Sequence, residues 1–439
     1  MESINLHSVH KSEIFPDVSL TCINTDKFKS SCITVNLLCK LDRETASLNA
    51  LLPRVLRRGS ASLPDMESIS AALDDLYGVR IEPIIRKKGE IHCIGFYTDF
   101  PDERYIPESE DILEKAIGIV GDILFSPYLY ERNLCNDYTG SEKSNLIDDI
   151  RASINDKRGY AIDRLLEEMC KGEAFGVSKL GSERETLNIT NTKLTEHYHN
   201  VLRTSQIEIL YCGSADPKRV ENAIRSTFGA LPERSVADIP ETVVFYSPLT
   251  GTPRRFVDTL DVSQGKLTVG FRMGDTMKNP DYTALMLFNA LYGGSVSSKL
   301  FLNVRERLSL CYYASSMLDK HKGILLVSSG VDFSNFDIAL DEILAQLEDV
   351  KNNVISEWEF TSAKRSVITS VKSALDRPGG LEELYFDSSI SAVSYDPIEL
   401  SDKIEATTIE RVVSVASGVK IDSIYLLSGY KSKEVKFET

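Results

Sequence analysis

Along residues 31–39, Ser-Cys-Ile-Thr-Val-Asn-Leu-Leu-Cys, Ile33, Val35, Leu37 and Cys39 fall on one side and Cys32 and Thr34 on the other. That period of two marks a strand with one well-buried face. The stretch around residue 50 reads as a helix that ends at Gly59. Pro64-Asp65 opens a second helix, with Ile69, Ala72, Leu73 and Leu76 at three- and four-residue steps and Gly78 as its stop. Two strand-like runs follow, 79–85 and 91–97, joined at a basic turn, Arg86-Lys87-Lys88-Gly89. A long helical pattern starts near Asp111 and closes at Ser126-Pro127. Residues 141–171 alternate charged and apolar positions as solvated amphipathic helices do. Ile207 to Cys212 is a short apolar strand, and Asp216 to Phe228 a helix.

Residues 229–253 change character. Pro232, Pro240, Pro248 and Pro253, with Gly229 and Gly251, punctuate a segment without sustained periodicity, which reads as a linker. The pattern then starts again: Leu267, Val269 and Phe271 mark a strand, 280–292 a helix running into Gly293-Gly294, and Ser295 to Ser298 the start of another helix. With the chain slid on itself so that Gly59 meets Gly293, Ala50 meets Ala284, Leu51 meets Leu285, Leu76 meets Leu310, and Lys88-Gly89 meets Lys322-Gly323. Turn glycines and element order agree together, the mark of an internal repeat. The expected organisation is two copies of one α+β unit, 1–230 and 254–439, around a linker at 231–253.

Charge and cysteines narrow the function. The 439 residues carry a formal net charge of -15, which argues against nucleic acid, where affinity rests on cations meeting phosphates. The same charge disfavours anionic lipid. No apolar run approaches the length of a membrane span, and the polar N-terminus lacks a signal peptide's basic and apolar regions. A cytoplasmic, membrane-free protein is expected. The eight cysteines are scattered with no Cys-x-x-Cys pair, as for buried free thiols in a reducing compartment. No P-loop, dinucleotide fingerprint or nucleophile elbow is present. His197-Tyr198-His199 is the one close histidine pair, and its polar surroundings suggest ordinary residues at a solvated helix end.

One stretch is more specific. Ser297-Ser298-Lys299-Leu300-Phe301, leading into Val304-Arg305-Glu306-Arg307-Leu308-Ser309-Leu310-Cys311-Tyr312, resembles Ser-Ser-Arg-Leu-Phe followed by Arg-Glu-x-Leu-Gly-Leu-Ala-Tyr of the insulinase, pitrilysin and mitochondrial-processing-peptidase family. Ser309 stands for the usual Gly and Cys311 for the usual Ala. The resemblance covers nearly the whole chain. Through Ser141-Glu142-Lys143 and 165–172 the first half most resembles a zinc-less bacterial subgroup, named for its association with 5-aminopentanol modification of elongation factor P. The resemblance implies two homologous domains of the LuxS/MPP-like metallohydrolase type, each an antiparallel or mixed sheet with helices packed on one face.

It also implies where a zinc site would lie. The family signature His-x-x-Glu-His runs into a Gly-Ser or Gly-Thr step, and laid on Gly59-Ser60 it places its histidines on Ala50 and Arg54 and its glutamate on Pro53. The third ligand falls on Gly140. Zinc hydrolysis needs three protein ligands and a base beside the bound water. Alanine and glycine have no donor, proline cannot act as a base, and arginine brings a fixed cation. No metal and no other cofactor is expected. Arg305 and Tyr312 match an arginine that holds the substrate backbone and a tyrosine that steadies the oxyanion, both reaching a zinc held by the other half. The alternative for the pair is a surface cation beside Glu306 and a core aromatic. The expected function is a non-catalytic, substrate-handling subunit that completes the site of a related zinc-bearing chain acting on peptide or unfolded polypeptide. The alternatives for assembly and role are a homo-oligomer, and a structural or peptide-binding subunit in a protein-modification pathway without proteolysis.

Overall fold

The computed structural model describes residues 7–107, 111–393 and 396–430. The chain runs through β1 (Ser8–Phe15), β2 (Val18–Asn24), β3 (Ser30–Lys40), α1 (Arg43–Leu56), α2 (Met66–Asp74), β4 (Arg80–Lys88), β5 (Ile91–Pro101), α3 (Ile112–Phe125), the two short strands β6 (Leu129–Tyr130) and β7 (Asn133–Leu134), and α4 (Asn136–Ala152). It continues through α5 (Lys157–Met169), α6 (Glu183–Leu187), α7 (Asn191–Thr204), β8 (Gln206–Gly213) and α8 (Pro217–Phe228). After a coil come β9 (Arg254–Leu260), β10 (Gly265–Arg272), α9 (Tyr282–Asn289), π-helical turns at Ala290–Gly294 and Leu300–Arg307, β11 (Cys311–Asp319) and β12 (Ile324–Val331). The last elements are α10 (Phe336–Lys351), α11 (Glu357–Ala374), α12 (Pro378–Ile390), α13 (Pro397–Ala406), α14 (Ile409–Ser417) and β13 (Lys420–Gly429).

Two compact units result. The first comprises the chain up to Arg151, with Val177–Glu241 and Ala374–Ile390. Its sheet has the order β1-β2-β8-β3-β5-β4, with β2 and β8 parallel and the other neighbours antiparallel. Ile33, Val35 and Leu37 point into a core with Leu51 and Val55 of α1, Ile117 of α3 and Ile224 of α8. The second unit comprises Ala152–Gly176, Thr242–Ser373 and the chain from Ser391. Its sheet order is β11-β12-β10-β13-β9, with β9 and β13 parallel. Read from its other edge, β9-β13-β10-β12-β11 repeats β2-β8-β3-β5-β4 strand for strand, including the single parallel pair. The duplication read from the sequence is therefore a duplication of topology. Gly59 and Gly293 explain why both copies keep glycine at the turn: a Cβ would lie 2.3 Å from the Pro64 carbonyl oxygen in one and 2.6 Å from the Ser316 nitrogen in the other.

The packing units and the halves of the sequence are different divisions of the chain. α5, from the first half, packs in the second unit, where Leu165 and Met169 meet Leu326, Tyr425 and Leu427. α12, from the second half, packs in the first unit, where Leu381 and Phe386 meet Cys32, Leu38, Cys93 and Cys212. Each sheet thus has its expected helical layer on one face and one exchanged helix on the other. β3 is consequently buried on both faces, not one: Cys32, Thr34 and Asn36 are as enclosed as Ile33 and Val35.

Ion pairs fix each exchanged segment to its sheet. The expected basic turn is instead the end of β4, because carboxylates from far along the chain meet it. Arg86 lies 3.0 Å from Glu382, and Lys88 pairs with Glu383 and, at 2.9 Å, with Asp387. Glu382 also accepts a hydrogen bond from Thr34 at 2.9 Å. In the second unit, Glu173 reaches the fully buried Lys322 at 2.8 Å and also pairs with Arg272. Asp422 takes Arg272 at 3.1 Å and Arg254 at 2.7 Å. Lys88 and Lys322 are the residues that coincide in the internal repeat.

Candidate functional site

The positions on which the family resemblance lays a zinc signature lie on α1 and α4 of the first unit. Asp42 caps α1 by accepting from the Glu44 amide at 2.9 Å. The helix carries Pro53 in its interior without breaking and leads through a short turn to Gly59. Ala50 and Pro53 are buried, Ala50 completely. Arg54 projects to α4 and pairs with Asp149 at 2.6 Å, and Arg58 pairs with Glu142 at 3.1 Å. Gly140 is exposed, with open space where a side chain would begin.

The α4 group that meets the Arg54 position is therefore Asp149, which sequence reasoning overlooked. Its signal was available: Glu142 and Asp149 are seven residues apart, two turns, on one helical face. Two Arg–carboxylate pairs, one from α1 and one from the turn after it, bind this segment to α4. Zinc does not fit these residues, since Ala50 offers no lone pair, the Arg54 guanidinium stands against Asp149, and Glu142 is taken by Arg58. Among the described residues no group of three or more His, Cys, Asp or Glu side chains is arranged to hold a metal ion.

The histidines behave differently from the expected solvated pair. His199 is exposed, but His197 Nε2 lies 2.7 Å from Asn49 Oδ1, whose amide nitrogen is 3.2 Å from Nδ1 of the fully buried His92. Burial, helped by the Lys193 charge, pushes His197 down to about 4. Burial foremost brings His92 to about 4 as well. Both rings are neutral and hydrogen-bonded, which makes them core histidines. The amphipathic spacing of α7, with Leu194, Tyr198, Val201 and Leu202 buried, turns His197 inward next to them.

In the second unit, Arg305 sits in the π-helical turn and Tyr312 near the start of β11. The two are joined by a left-handed turn in which Ser309 has φ 50° and donates its amide to the Arg305 carbonyl at 3.1 Å. This is an αL helix cap, where glycine is the usual occupant, so the Ser309 replacement keeps the geometry and strains it. Arg305 has the setting of a surface cation: its side chain is 41% exposed, 3.5 Å from Glu306, and stacked 4.7 Å over the Phe301 ring. Burial pushes the Cys311 thiol up, opposed by the Ser329 hydrogen bond and the nearby Arg305 charge.

Tyr312 is not a core aromatic. Cys311 pairs with Val331 and Tyr313 with Gly330, which leaves Tyr312 as the extra residue of a β-bulge on an edge strand. Bulges re-aim side chains. Here Cys311 and Ala314 both face the core, and Tyr312 is left 67% exposed.

A duplicated α+β fold in which alanine, proline and an ion-paired arginine stand where the family resemblance expects a zinc signature fits the class of inactive metallopeptidase homologues. Residues 188–367 match the family model described as "Peptidase M16 inactive domain". The chain is 33% identical over 407 residues to a Bacillus subtilis protein described as "Probable inactive metalloprotease YmfF", covering 93% of this chain and 95% of that one. A second B. subtilis protein, described as "Uncharacterized zinc protease YmxG", is 21% identical, with 69% of this chain and 71% of that one covered. The crystal structure of a conserved protein from Enterococcus faecalis V583 superposes with a TM-score of 0.87 at 24% identity, over 98% of this chain and 100% of that one. This chain belongs to the M16, or insulinase, peptidase family, and it is an inactive homologue within it. Among the described residues no helix is long and apolar enough to cross a membrane.

Proposed function

We propose that this chain is the non-catalytic, substrate-handling subunit of a two-chain zinc peptidase, with Tyr312 and Arg305 acting on substrate bound at a related, zinc-bearing chain. The observation that carries the reading is the bulge at Tyr312. A phenol on an edge strand gains nothing for folding by standing two-thirds in water, whereas a preorganised neutral donor is what a developing oxyanion requires. Tyr312 would donate its hydroxyl hydrogen to that oxygen. Arg305, anchored on Phe301, would hold a backbone carbonyl of the peptide. The pairing in B. subtilis of one relative described as inactive with another described as a zinc protease is consistent with such a division of labour. The site of action is taken to be the cytoplasm, in keeping with the scattered free thiols.

The test is peptide turnover by the complex reconstituted with the co-purifying zinc-bearing chain. Tyr312→Phe removes only an exposed hydroxyl, so folding and assembly should persist while turnover falls about 10²–10³-fold. Arg305→Ala should raise KM as well as lower kcat. Equal rates for wild type and Tyr312→Phe would leave a structural or peptide-binding subunit as the better reading.

A further inference from the structure

The bulge that exposes Tyr312 has a second effect. Along β11, Ala314 and Leu318 face the helical core, so Tyr313 and Ser315 face the other side of the sheet, the side that α5 covers. Cys311 also faces the core, so the extra residue puts Tyr312 and Tyr313 on the α5 side together. Two cations converge there. Arg158, in the first turn of α5, lies with its guanidinium carbon 4.5 Å from the Tyr313 ring centre and donates to Ser315 Oγ at 2.7 Å. Lys266, on β10, has its ammonium 5.7 Å from the same ring and donates to Gln264 Oε1 at 2.5 Å.

Among the described residues neither cation forms an ion pair; Arg158 is exposed and Lys266 partly so. Desolvation lowers the Lys266 pKa with no carboxylate to restore it. Burial foremost lifts the Tyr313 pKa, and the charge of Asp156 adds to it. Asp156 Oδ1 accepts from the Arg158 and Gly159 amides, both at 3.1 Å, as the cap of α5. Glu306 is engaged with Arg305. The face beside Tyr312 therefore offers two cations outside any ion pair and aromatic rings, in a chain of net charge -15. Long-range repulsion of an acidic ligand is screened beyond roughly 8 Å at physiological salt, so adjacent groups decide.

We infer that Arg158, Lys266 and Tyr313 form a subsite for the carboxylate side chain of an acidic residue in the bound peptide, next to the segment that Tyr312 contacts. This rests on the substrate-handling reading and names the substrate class: peptides with Asp or Glu beside the reacting bond. Arg158 comes from the exchanged helix, so the subsite exists only because α5 docks on this sheet.

The test uses the purified full-length chain and two fluorescein-labelled, unstructured Ser/Ala peptides, one with a central Asp-Glu pair and one with Asn-Gln in its place, followed by anisotropy. The acidic peptide should bind at least about fivefold more tightly, a preference that shrinks with added salt. Arg158→Gln and Lys266→Gln should each erase most of the preference while leaving the Asn-Gln peptide's affinity and the melting temperature unchanged. Both side chains are at least partly solvent-exposed, so the variants should fold. Equal binding of the two peptides, or a preference that survives both substitutions, overturns the subsite and leaves the substrate-handling reading standing. No binding of either peptide overturns both.

Discussion

At the scale of single residues, the lost chemistry has been replaced by electrostatics at the same place. Arg54 does more than remove a ligand: it occupies Asp149, the carboxylate that would otherwise complete a site with two histidines one helical turn apart. Positions 50 and 54 share a face of α1, and Asp149 reaches that face from α4. Ala50→His with Arg54→His should therefore assemble two imidazoles and one carboxylate, a three-ligand zinc set. Elemental analysis after dialysis should show about one zinc per double-variant chain and none for wild type. If the double variant stays metal-free while remaining folded, Asp149 is not aimed as described. The same scale shows how much of the site was legible. Ala50, Pro53 and Arg54 could be named from their spacing to Gly59, and Arg305 and Tyr312 from the flanking motif. For Asp149 the seven-residue spacing from Glu142 was legible, but its pairing with Arg54 across 95 residues was not.

Elements add what residues cannot, the exchange of α5 and α12. Both helices looked like solvated amphipathic segments or went unassigned, because the sheets they cover are built from the other half of the chain. Their docking is specified by charge as well as by apolar fit: carboxylates on the exchanged segments, cations on the receiving sheets. Lys322 and Glu173 are both nearly or fully buried, and Glu173 also pairs with Arg272, so removing Glu173 takes a carboxylate from two buried cations, at a cost of about 3–5 kcal/mol, whereas removing Lys322 leaves Glu173 its arginine. Glu173→Gln should lower the unfolding free energy read from urea denaturation by an amount in that range, and Lys322→Met by less. The double variant should lose clearly less than the two losses added, since both substitutions remove the same ion pair. Strict additivity would show that Lys322 and Glu173 are not coupled. Lys88, its counterpart in the repeat, meets one half-exposed acid, Glu383, and one buried acid, Asp387.

At the scale of the whole molecule, stability should depend on pH through the His92–Asn49–His197 chain, which ties β5, α1 and α7 together. Each imidazole titrates near 4 in the folded protein against about 6.5 when unfolded. Between those values the unfolded chain binds more protons, so stability rises with pH. The contribution is complete above pH 6.5 and is lost as pH falls towards 4, up to about 3 kcal/mol for each ring. Urea unfolding at pH 7.5 and 5.0 should show this loss, and His197→Gln, which retains a donor to Asn49, should reduce it. An unchanged pH dependence in that variant would place the effect elsewhere. By itself the sequence determined the α+β duplication, because periodicity and turn glycines are local properties. Tertiary structure alone decided that β3 is buried on both faces, that Arg86 and Lys88 belong to a strand end held by acids, that Asp149 answers Arg54, and that Tyr312 stands in water. Each of those depends on which distant segment arrives, and docking energy between remote segments is written in no single stretch of the chain.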